Sequence, residues 1–214
     1  MNVLVACEYS GRVRDAFTER GHYAVSADLL PTESPGEHYQ GDVRDLLHLD
    51  WDMMIAFPSC KFLAQTGSQW LYHKEDSPTK KPHLTLEERR PHPLHPHRRE
   101  KRAEAIEFFM ELANAPIPQI CIENPMGCMS RFWRSPDQYV HPWWFGDEAT
   151  KRTGLWLKNL PLLEPTNIVG KGEYVIQGGH RFQRWYSDGS KKDRSKRRAL
   201  IFPGIARAMA KKWG

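Results

Sequence analysis

The sequence lacks any run of about 18 or more apolar residues, so neither a transmembrane helix nor a membrane partner is expected. It also lacks a basic leader and a cleavage site, because a short apolar run at residues 3–7 follows almost at once. We therefore expect a cytoplasmic protein. No internal repeat is visible, which argues against a solenoid or a propeller.

Cysteine is scarce: the chain has four, and no two of them form a C-x-x-C pair. Neither a disulfide framework nor a zinc knuckle is expected, so each free thiol serves packing or chemistry. Four histidines cluster in one stretch, but the prolines between them disfavour the spacing of helical metal ligands. We predict no metal site. The four are His83, His92, His95 and His97.

The rest of the composition is that of a globular protein. Hydrophobic residues are 40% and charged residues 27% of the 214 positions, which suits one α/β domain spanning residues 1–214. The net charge of +5 and the pI of about 9.0 favour a polyanionic partner such as nucleic acid. A basic run at 191–198 supports this, although a solvated surface explains the run equally well.

Hydrophobic periodicity predicts a βαβ unit at the N-terminus. Residues 3–6 are typical of a strand buried on both faces of a sheet. Helical spacing follows at Val13, Ala16 and Phe17, and residues 23–27 form a second strand. Such a unit is the building block of a mostly parallel sheet.

The same analysis predicts two further strands, at 51–57 and 119–122, and two helices, at 98–114 and 202–213. The stretch at about 73–98 is rich in Lys, His and Pro, and we interpret it as a flexible basic insertion. On the helix at 98–114, one face is expected to be buried. It consists of Ala103, Ile106, Phe109, Met110 and Ala113.

Three predicted strand ends carry polar or reactive side chains, at 7–11, 58–60 and 123–125. Ligands of an open parallel sheet bind outside the carboxyl ends of its strands, so Cys60 and Glu123 are expected to meet there. A thiolate can add to C6 of a pyrimidine and make C5 nucleophilic, while a carboxylic acid engages N3. Each residue also has a purely structural interpretation: Cys60 could be a buried packing residue, and Glu123 could cap a turn. The presence of both at one sheet edge favours pyrimidine chemistry.

Seven stretches, in this order, resemble the DNA cytosine-C5 methyltransferase family, most closely its short members encoded by phages and prophages. They are VLVACEYSGRVRDAFTERGH, SADLLP, GDV, DMMIAFPSCKFLAQTG, CIENP, FGDEATKRTGLWLKNLP and FPGIARAMAKKWG. The resemblance implies an α/β, Rossmann-like methyltransferase fold with a mostly parallel sheet, flanking helices and a reduced C-terminal subdomain. It also implies S-adenosylmethionine as cofactor, DNA (single- or double-stranded) as partner, and a bacterial host cytoplasm if the gene is phage-encoded.

The resemblance also implies roles for single residues in a transferase that methylates cytosine through a covalent Cys60 adduct. Glu123 would bind the base, and Lys151 and Arg152 would support the site. The cofactor would be bound by Glu8, Tyr9, Ser10, Gly11, Val13, Asp28, Leu29, Asp42, Val43, Phe57 and Pro58. Candidates for contacting the nucleic acid are Lys61, Lys191, Lys192, Arg194, Lys196 and Arg197.

Two other functions remain open, because the target-recognition-like region at about 154–198 is too short to read much DNA sequence. The same cysteine and glutamate could act on a free nucleotide or RNA, or with a different donor. Alternatively, the chain is a catalytically decayed nucleic-acid-binding or inhibitor protein. The oligomeric state is also left open.

Overall fold

The chain begins with the βαβ unit that its periodicity predicts. A computed structural model describes residues 1–187, 190 and 197–214. Strand β1 (Asn2–Ala6) leads into helix α1 (Arg12–Thr18), and strand β2 (Tyr23–Asp28) returns parallel to β1. Gly11 turns the chain into the helix with a φ of 77°, a left-handed conformation that favours glycine.

Among the described residues, seven strands form the main sheet, in the order β3-β2-β1-β4-β5-β7-β6. The further strands are β3 (His38–Gln40), β4 (Met53–Ala56), β5 (Gln119–Pro125), β6 (Gln138–Val140) and β7 (Thr153–Lys158). Strands β1 to β5 are parallel, whereas β7 is antiparallel to β5 and β6. The order reverses between β1 and β4, as in doubly wound sheets. The predicted α/β, Rossmann-like fold is confirmed.

Helices cover both faces of this sheet. Helix α1 and the closing helix α5 (Pro203–Trp213) pack on one face, and helix α2 (Arg98–Ala113) covers the other through Phe109 and Leu112. The predicted burial of Ala103 is wrong, since only the second half of α2 lies on the sheet and Ala103 is exposed to solvent.

Strand β5 is longer than its periodicity predicts. The predicted end at Ile122 is wrong, because β5 continues through Glu123 and Asn124 to Pro125, paired residue by residue with β7. An antiparallel partner from a distant segment leaves no periodic signal in β5 itself. Glu123 therefore stands on a hydrogen-bonded strand and not on a loop, which fixes the position of its backbone.

A buried arginine holds the loop between β2 and β3. Arg14, only 1% exposed, donates to the carbonyl oxygens of Ser34 and Pro35 and to the Ser26 hydroxyl, and it pairs with Asp15. A charged side chain this deeply buried requires such partners. They tie α1 to the loop that follows β2.

A small hairpin forms the middle of the C-terminal region. Its elements are β8 (Tyr174–Gln177), β9 (His180–Gln183) and α4 (Arg184–Ser187). Gly178 and Gly179, with φ of 57° and 78°, make the two-residue turn. The Gln183 side chain accepts from the Thr150 N–H and donates to the Lys171 carbonyl. The hairpin is thereby attached beside the segment that precedes β7.

The stretch at about 73–98 has its own polar centre. Buried Asp76 accepts hydrogen bonds from Lys81 and Arg90, while Arg89 donates to the carbonyl oxygens of Asp76, Lys81 and Leu84. These bonds connect distant parts of the segment. The flexibility of this stretch in solution stays a prediction.

The other described helices are short. They are α3 (Met129–Phe132) and the 3-10 segments Val43–Leu46, Gln65–Leu71, Lys74–Asp76 and Pro142–Trp144. Within the described ranges, no helix has both the length and the apolar content needed to cross a membrane.

Candidate active site

A cavity of about 470 Å³ opens at the carboxyl ends of the parallel strands, beside the switch point between β1 and β4. Its wall combines residues that follow β1, β2 and β4 with the end of β5 and the segment before β7. The volume lies in the range of small-molecule and cofactor sites, about 300–1,000 Å³. The location and size are those expected of a ligand site in this kind of fold.

Cys60, Glu123 and Lys151 line this cavity from three different segments. The Lys151 Nζ lies 3.6 Å from Oε1 of buried Glu123, and that oxygen accepts no hydrogen bond from the described residues. The Cys60 side chain reaches solvent, yet desolvation and the Glu123 charge raise the pKa of its thiol, while Lys151 lowers it. The three groups are thus coupled electrostatically, and Glu123 retains an oxygen for a ligand.

The segment after β4 is attached to the end of β5. The Asn124 amide donates to the Pro58 carbonyl at 2.8 Å, and the Cys128 N–H donates to the Leu63 carbonyl at 2.9 Å. A Cβ on Gly127 would press into the Leu63 carbonyl oxygen, far inside van der Waals contact. Only glycine permits this approach, which keeps the two strand ends together.

The loop after β1 contains a buried acid, Glu8, with one carboxylate oxygen that accepts no hydrogen bond from the described residues. Cys7 adopts a φ of 59°, which is rare outside glycine, and the Glu8 N–H donates to the Ala27 carbonyl at 3.0 Å. Oε1 of buried Glu8 accepts from the Ser10 hydroxyl at 2.5 Å and the Val13 N–H at 3.3 Å. Its Oε2 has no partner among the described residues. Burial raises the pKa of Glu8, and its hydrogen bond from Ser10 opposes that shift.

Two aspartates border the opposite wall. Asp28 accepts the Leu30 N–H at 2.9 Å through Oδ1. Both carboxylate oxygens of Asp42 accept from Arg44, one from its backbone N–H and one from its guanidinium. Arg44 also pairs with Glu111 of α2 at 2.6 Å, so Asp42 caps a short helix and anchors this wall.

Most of the predicted catalytic and cofactor-binding residues come together at this cavity. Those on its wall are Tyr9, Asp28, Leu29, Asp42, Val43, Phe57, Pro58, Cys60, Glu123 and Lys151. Glu8 and Ser10 line a neighbouring space of about 20 Å³, and Gly11 and Val13 form the start of α1 beside them.

Other predicted residues lie elsewhere. Arg152 packs over the Tyr139 ring, 4.0 Å from its centroid, and not on the wall formed by the described residues. Lys61 and Arg197 are exposed. The remaining candidates for nucleic-acid contact lie outside the described residues: Lys191, Lys192, Arg194 and Lys196.

Several wall residues have no role assigned from the sequence, although Cys7, Ser59 and Pro125 belong to the three strand ends expected at this edge. Those without an assigned role are Cys7, Leu30, Gly41, Arg44, Ser59, Phe108, Pro125, Arg198 and Ala199. The position of Cys7, directly after β1, was a usable signal. Phe108 reaches the wall because Arg44 packs 4.5 Å from its ring centroid, a long-range contact that no local pattern reveals. Burial and the charges of Asp28 and Asp42 raise the pKa of Cys7 to about 12, which suits an inert thiol.

The clustered histidines do not surround a metal position in the described part of the chain, where no group of three His, Cys, Asp or Glu side chains could hold an ion. The rings of His92 and His95 stack 5.3 Å apart, and both contact the edge of Trp70.

No model of a known protein family matches the sequence, and no curated protein matches it. Among solved structures, the chain is similar to a candidate DNA modification methyltransferase encoded within a prophage of E. coli, with a TM-score of 0.45 and 12% identity. The match covers 79% of this chain and 52% of that one, so the chain spans about half the length of that protein. Likeness of this degree does not extend to activity, which has to be argued from the site.

Proposed function

We propose that the protein is an S-adenosylmethionine-dependent enzyme that methylates C5 of cytosine in DNA, with Cys60 as its nucleophile. The observation that carries the proposal is one cavity lined by a thiol, a buried carboxylate and a lysine at the carboxyl edge of the sheet. These groups have the chemistry needed to activate a pyrimidine ring.

In the proposed reaction, the target base leaves its stack or is already unpaired. The Cys60 thiol passes its proton to Glu123, and the sulfur bonds to C6. The C5–C6 electron pair shifts as N3 takes the proton from Glu123, which leaves C5 electron-rich. S-adenosylmethionine, when bound, supplies the methyl group that C5 accepts. N3 then returns its proton to Glu123, C5 loses its proton to solvent, and the sulfur–C6 bond breaks. The released Cys60 thiolate takes its proton back from Glu123, which restores the starting state.

Lys151 has a supporting role in this scheme. Its ammonium lowers the pKa of the Cys60 thiol, whereas the Glu123 charge raises it. Transfer of the thiol proton to Glu123 removes that repulsion at the step where the thiolate is needed. Lys151 therefore faces a negative charge on the Glu123 carboxylate at rest and on the sulfur once the thiol proton has moved.

The residues of the first loop and the facing wall fit the cofactor. The unpartnered Glu8 Oε2 is buried beside the cavity and could accept the amino group of the methionine portion. Asp28, on the main wall, is suited to the ribose hydroxyls. Val43 and Phe57 would offer apolar surface to the adenine and to the sulfur region.

DNA is the favoured substrate because the chain is basic and the hairpin stands beside the segment that carries Lys151. A free nucleotide is a second candidate. Within the described residues, the region that could read a DNA sequence contains one hairpin with strands of four residues each, which offers little readout surface.

Mass spectrometry of nucleosides, after incubation with DNA and S-adenosylmethionine, tests the proposal. We expect 5-methylcytosine from the wild type and from Cys128→Ala, a thiol off the described cavity wall, but none from Cys60→Ala. Calorimetry should show that Cys60→Ala still binds S-adenosylmethionine.

Formation of 5-methylcytosine by Cys60→Ala would rule out the proposed mechanism. Product from deoxycytidine nucleotides but not from DNA would select the second candidate. No modified base, together with no binding of S-adenosylmethionine, would point to another donor or to a protein that has lost turnover.

A further inference from the structure

A row of cations and aromatic rings runs from the Cys60 segment along helix α2. It consists of Lys61, Phe62, Arg98, Arg102 and Phe132, which we call the aromatic–cation track. The Lys61 Nζ and the Arg98 guanidinium lie over the same Phe62 ring, 5.3 and 5.1 Å from its centroid. The Arg102 guanidinium lies 5.3 Å from the Phe132 centroid. Each distance is within the range of a cation–π contact.

The backbone holds this track beside the cavity. Arg98 donates to the carbonyl oxygens of Gly67 and Lys61, at 3.1 and 2.7 Å, and thereby attaches the start of α2 to the segment that follows Cys60. Since α2 connects two parallel strands, its N-terminus lies at their carboxyl edge, where the cavity opens. Arg102 follows one turn along, about 6 Å further down the helix.

The cations of the track have no acidic partner among the residues that the structure describes. In the described part of the chain, no carboxylate forms an ion pair with Lys61, Arg98 or Arg102, whereas Arg44, Arg90 and Lys212 are all paired. Nε of Arg102 is buried without a hydrogen-bond acceptor. Arg98 and Arg102 also repel each other: burial and the charge of the nearby Arg102 lower the pKa of Arg98. Among the described residues these charges are left without a carboxylate partner, which suits contact with an external anion.

Both rings keep solvent-exposed surface beside the cations that lie over them. Phe132 is 55% exposed and Phe62 is partly exposed, although both are large and apolar. Aromatic faces alternating with unpaired cations match a strand whose bases are unstacked and whose phosphates lie between them. The bases of a duplex are already stacked on one another, so a duplex would offer these rings no free base face.

We propose that the aromatic–cation track binds the single-stranded DNA that flanks the target base. This inference rests on the proposed function insofar as DNA is the substrate. Phe62 and Phe132 stack on bases, and Lys61, Arg98 and Arg102 contact phosphates. The track would hold the strand on one side of the cytosine while Cys60 and Glu123 engage the base in the cavity.

Fluorescence anisotropy with a labelled oligothymidylate of about 16 nucleotides, without cofactor, tests the track. We expect Phe132→Leu to weaken binding about tenfold without changing the salt dependence, since stacking is lost and the charge is kept. Arg102→Gln should lower the slope of log affinity against log salt by about 0.7, the loss of one single-strand phosphate contact. The control is Arg207→Gln, an exposed arginine of α5 on the opposite face, which should bind like the wild type.

Circular dichroism checks that each variant is folded, and exposed Phe132 supplies a substitution that the fold tolerates. If Phe132→Leu and Arg102→Gln behave like Arg207→Gln, or if their effects are equal on duplex DNA, the track is not a single-strand site. Binding of this kind without methyl transfer would uphold the track and reject the proposed function. Methyl transfer by the wild type, together with unaltered oligonucleotide binding by both variants, would uphold the proposed function and reject the track.

Discussion

The reactivity of Cys60 depends on two charges that act in opposite directions. Burial and Glu123 raise the pKa of the thiol, and Lys151 lowers it. Only the thiolate is nucleophilic, so at neutral pH the raised pKa keeps most Cys60 protonated and the thiolate fraction rises with pH. In the proposed reaction Glu123 accepts the thiol proton, so the thiolate forms next to the group whose charge otherwise disfavours it.

The first prediction concerns the pH profile of Cys60 alkylation by iodoacetamide. Glu123→Gln removes the negative charge, so the midpoint of the profile should move to lower pH. Lys151→Met removes the positive charge, so the midpoint should move to higher pH. Cys60→Ala measures the background from the other thiols. Midpoints that do not move, or that move in the same direction, would contradict the coupling.

Both catalytic candidates could be predicted from the sequence, whereas their surroundings could not. Cys60 and Glu123 follow apolar runs that predict parallel strands, and parallel strands bring their carboxyl ends to one edge. The helical spacing of Val13, Ala16 and Phe17 gives no signal that Arg14 is buried. Its burial depends on the Ser34 and Pro35 carbonyls, which lie 20 and 21 residues away in the chain. Such long-range partners leave no periodic signal.

At the scale of elements, the site exists because two strand ends are joined. The segment after β4 and the segment after β5 exchange backbone hydrogen bonds, with Ala64 opposite Gly127. Neither segment is a regular strand or a long helix, so this contact supplies much of their order. It places the thiol segment relative to Glu123 at the end of β5.

The second prediction is that Gly127→Ala separates these two ends. Its Cβ would meet the Leu63 carbonyl, so the backbone has to shift, at a cost of about 1–3 kcal/mol in the free energy of unfolding. A displacement of about 1 Å at the nucleophile would lower kcat about 100-fold. Binding of S-adenosylmethionine should be largely kept. Denaturant unfolding, kinetics and calorimetry measure the three quantities.

Gly170→Ala is the matched control, because its Cβ would make only an ordinary contact, 3.9 Å from Glu148. It should change stability by less than about 0.5 kcal/mol. If Gly127→Ala retains full kcat, the bridge does not position Cys60.

The elements differ in how well their patterns predict them. The βαβ unit, α2 and α5 are long enough to show their periodicity, whereas β3 and β6 have three residues each and show none. The hairpin had a usable signal in Gly178-Gly179, a pair typical of two-residue turns. The end of β5 was missed because β7, its partner, comes about 30 residues later in the chain.

At the scale of the whole molecule, a buried acid beside the cavity makes the free energy of unfolding depend on pH. Glu8 is buried with one oxygen unpaired, and burial raises its pKa. The folded protein therefore holds the Glu8 proton to higher pH than the unfolded chain does. The stability contributed by binding this proton is complete at pH values below the unfolded-state pKa of Glu8. It is lost as the pH rises through the folded-state pKa. An ammonium group bound to the ionised Glu8 carboxylate would restore that stability.

The last prediction follows from this linkage. Glu8→Gln cannot ionise, so its Tm should exceed that of the wild type at pH 8 by about 2–4 °C, which corresponds to about 1 kcal/mol for a chain of this size. The difference should shrink as the pH falls and Glu8 becomes protonated. Saturating S-adenosylmethionine should then reverse the order, because the wild type gains about 2.7 kcal/mol at 100 times Kd and the variant binds more weakly.

Exposed Glu104→Gln is the control and should match the wild type under all these conditions. Equal cofactor-induced shifts in Tm for Glu8→Gln and the wild type would mean that Glu8 does not contact the cofactor, and its burial would then be a structural cost alone.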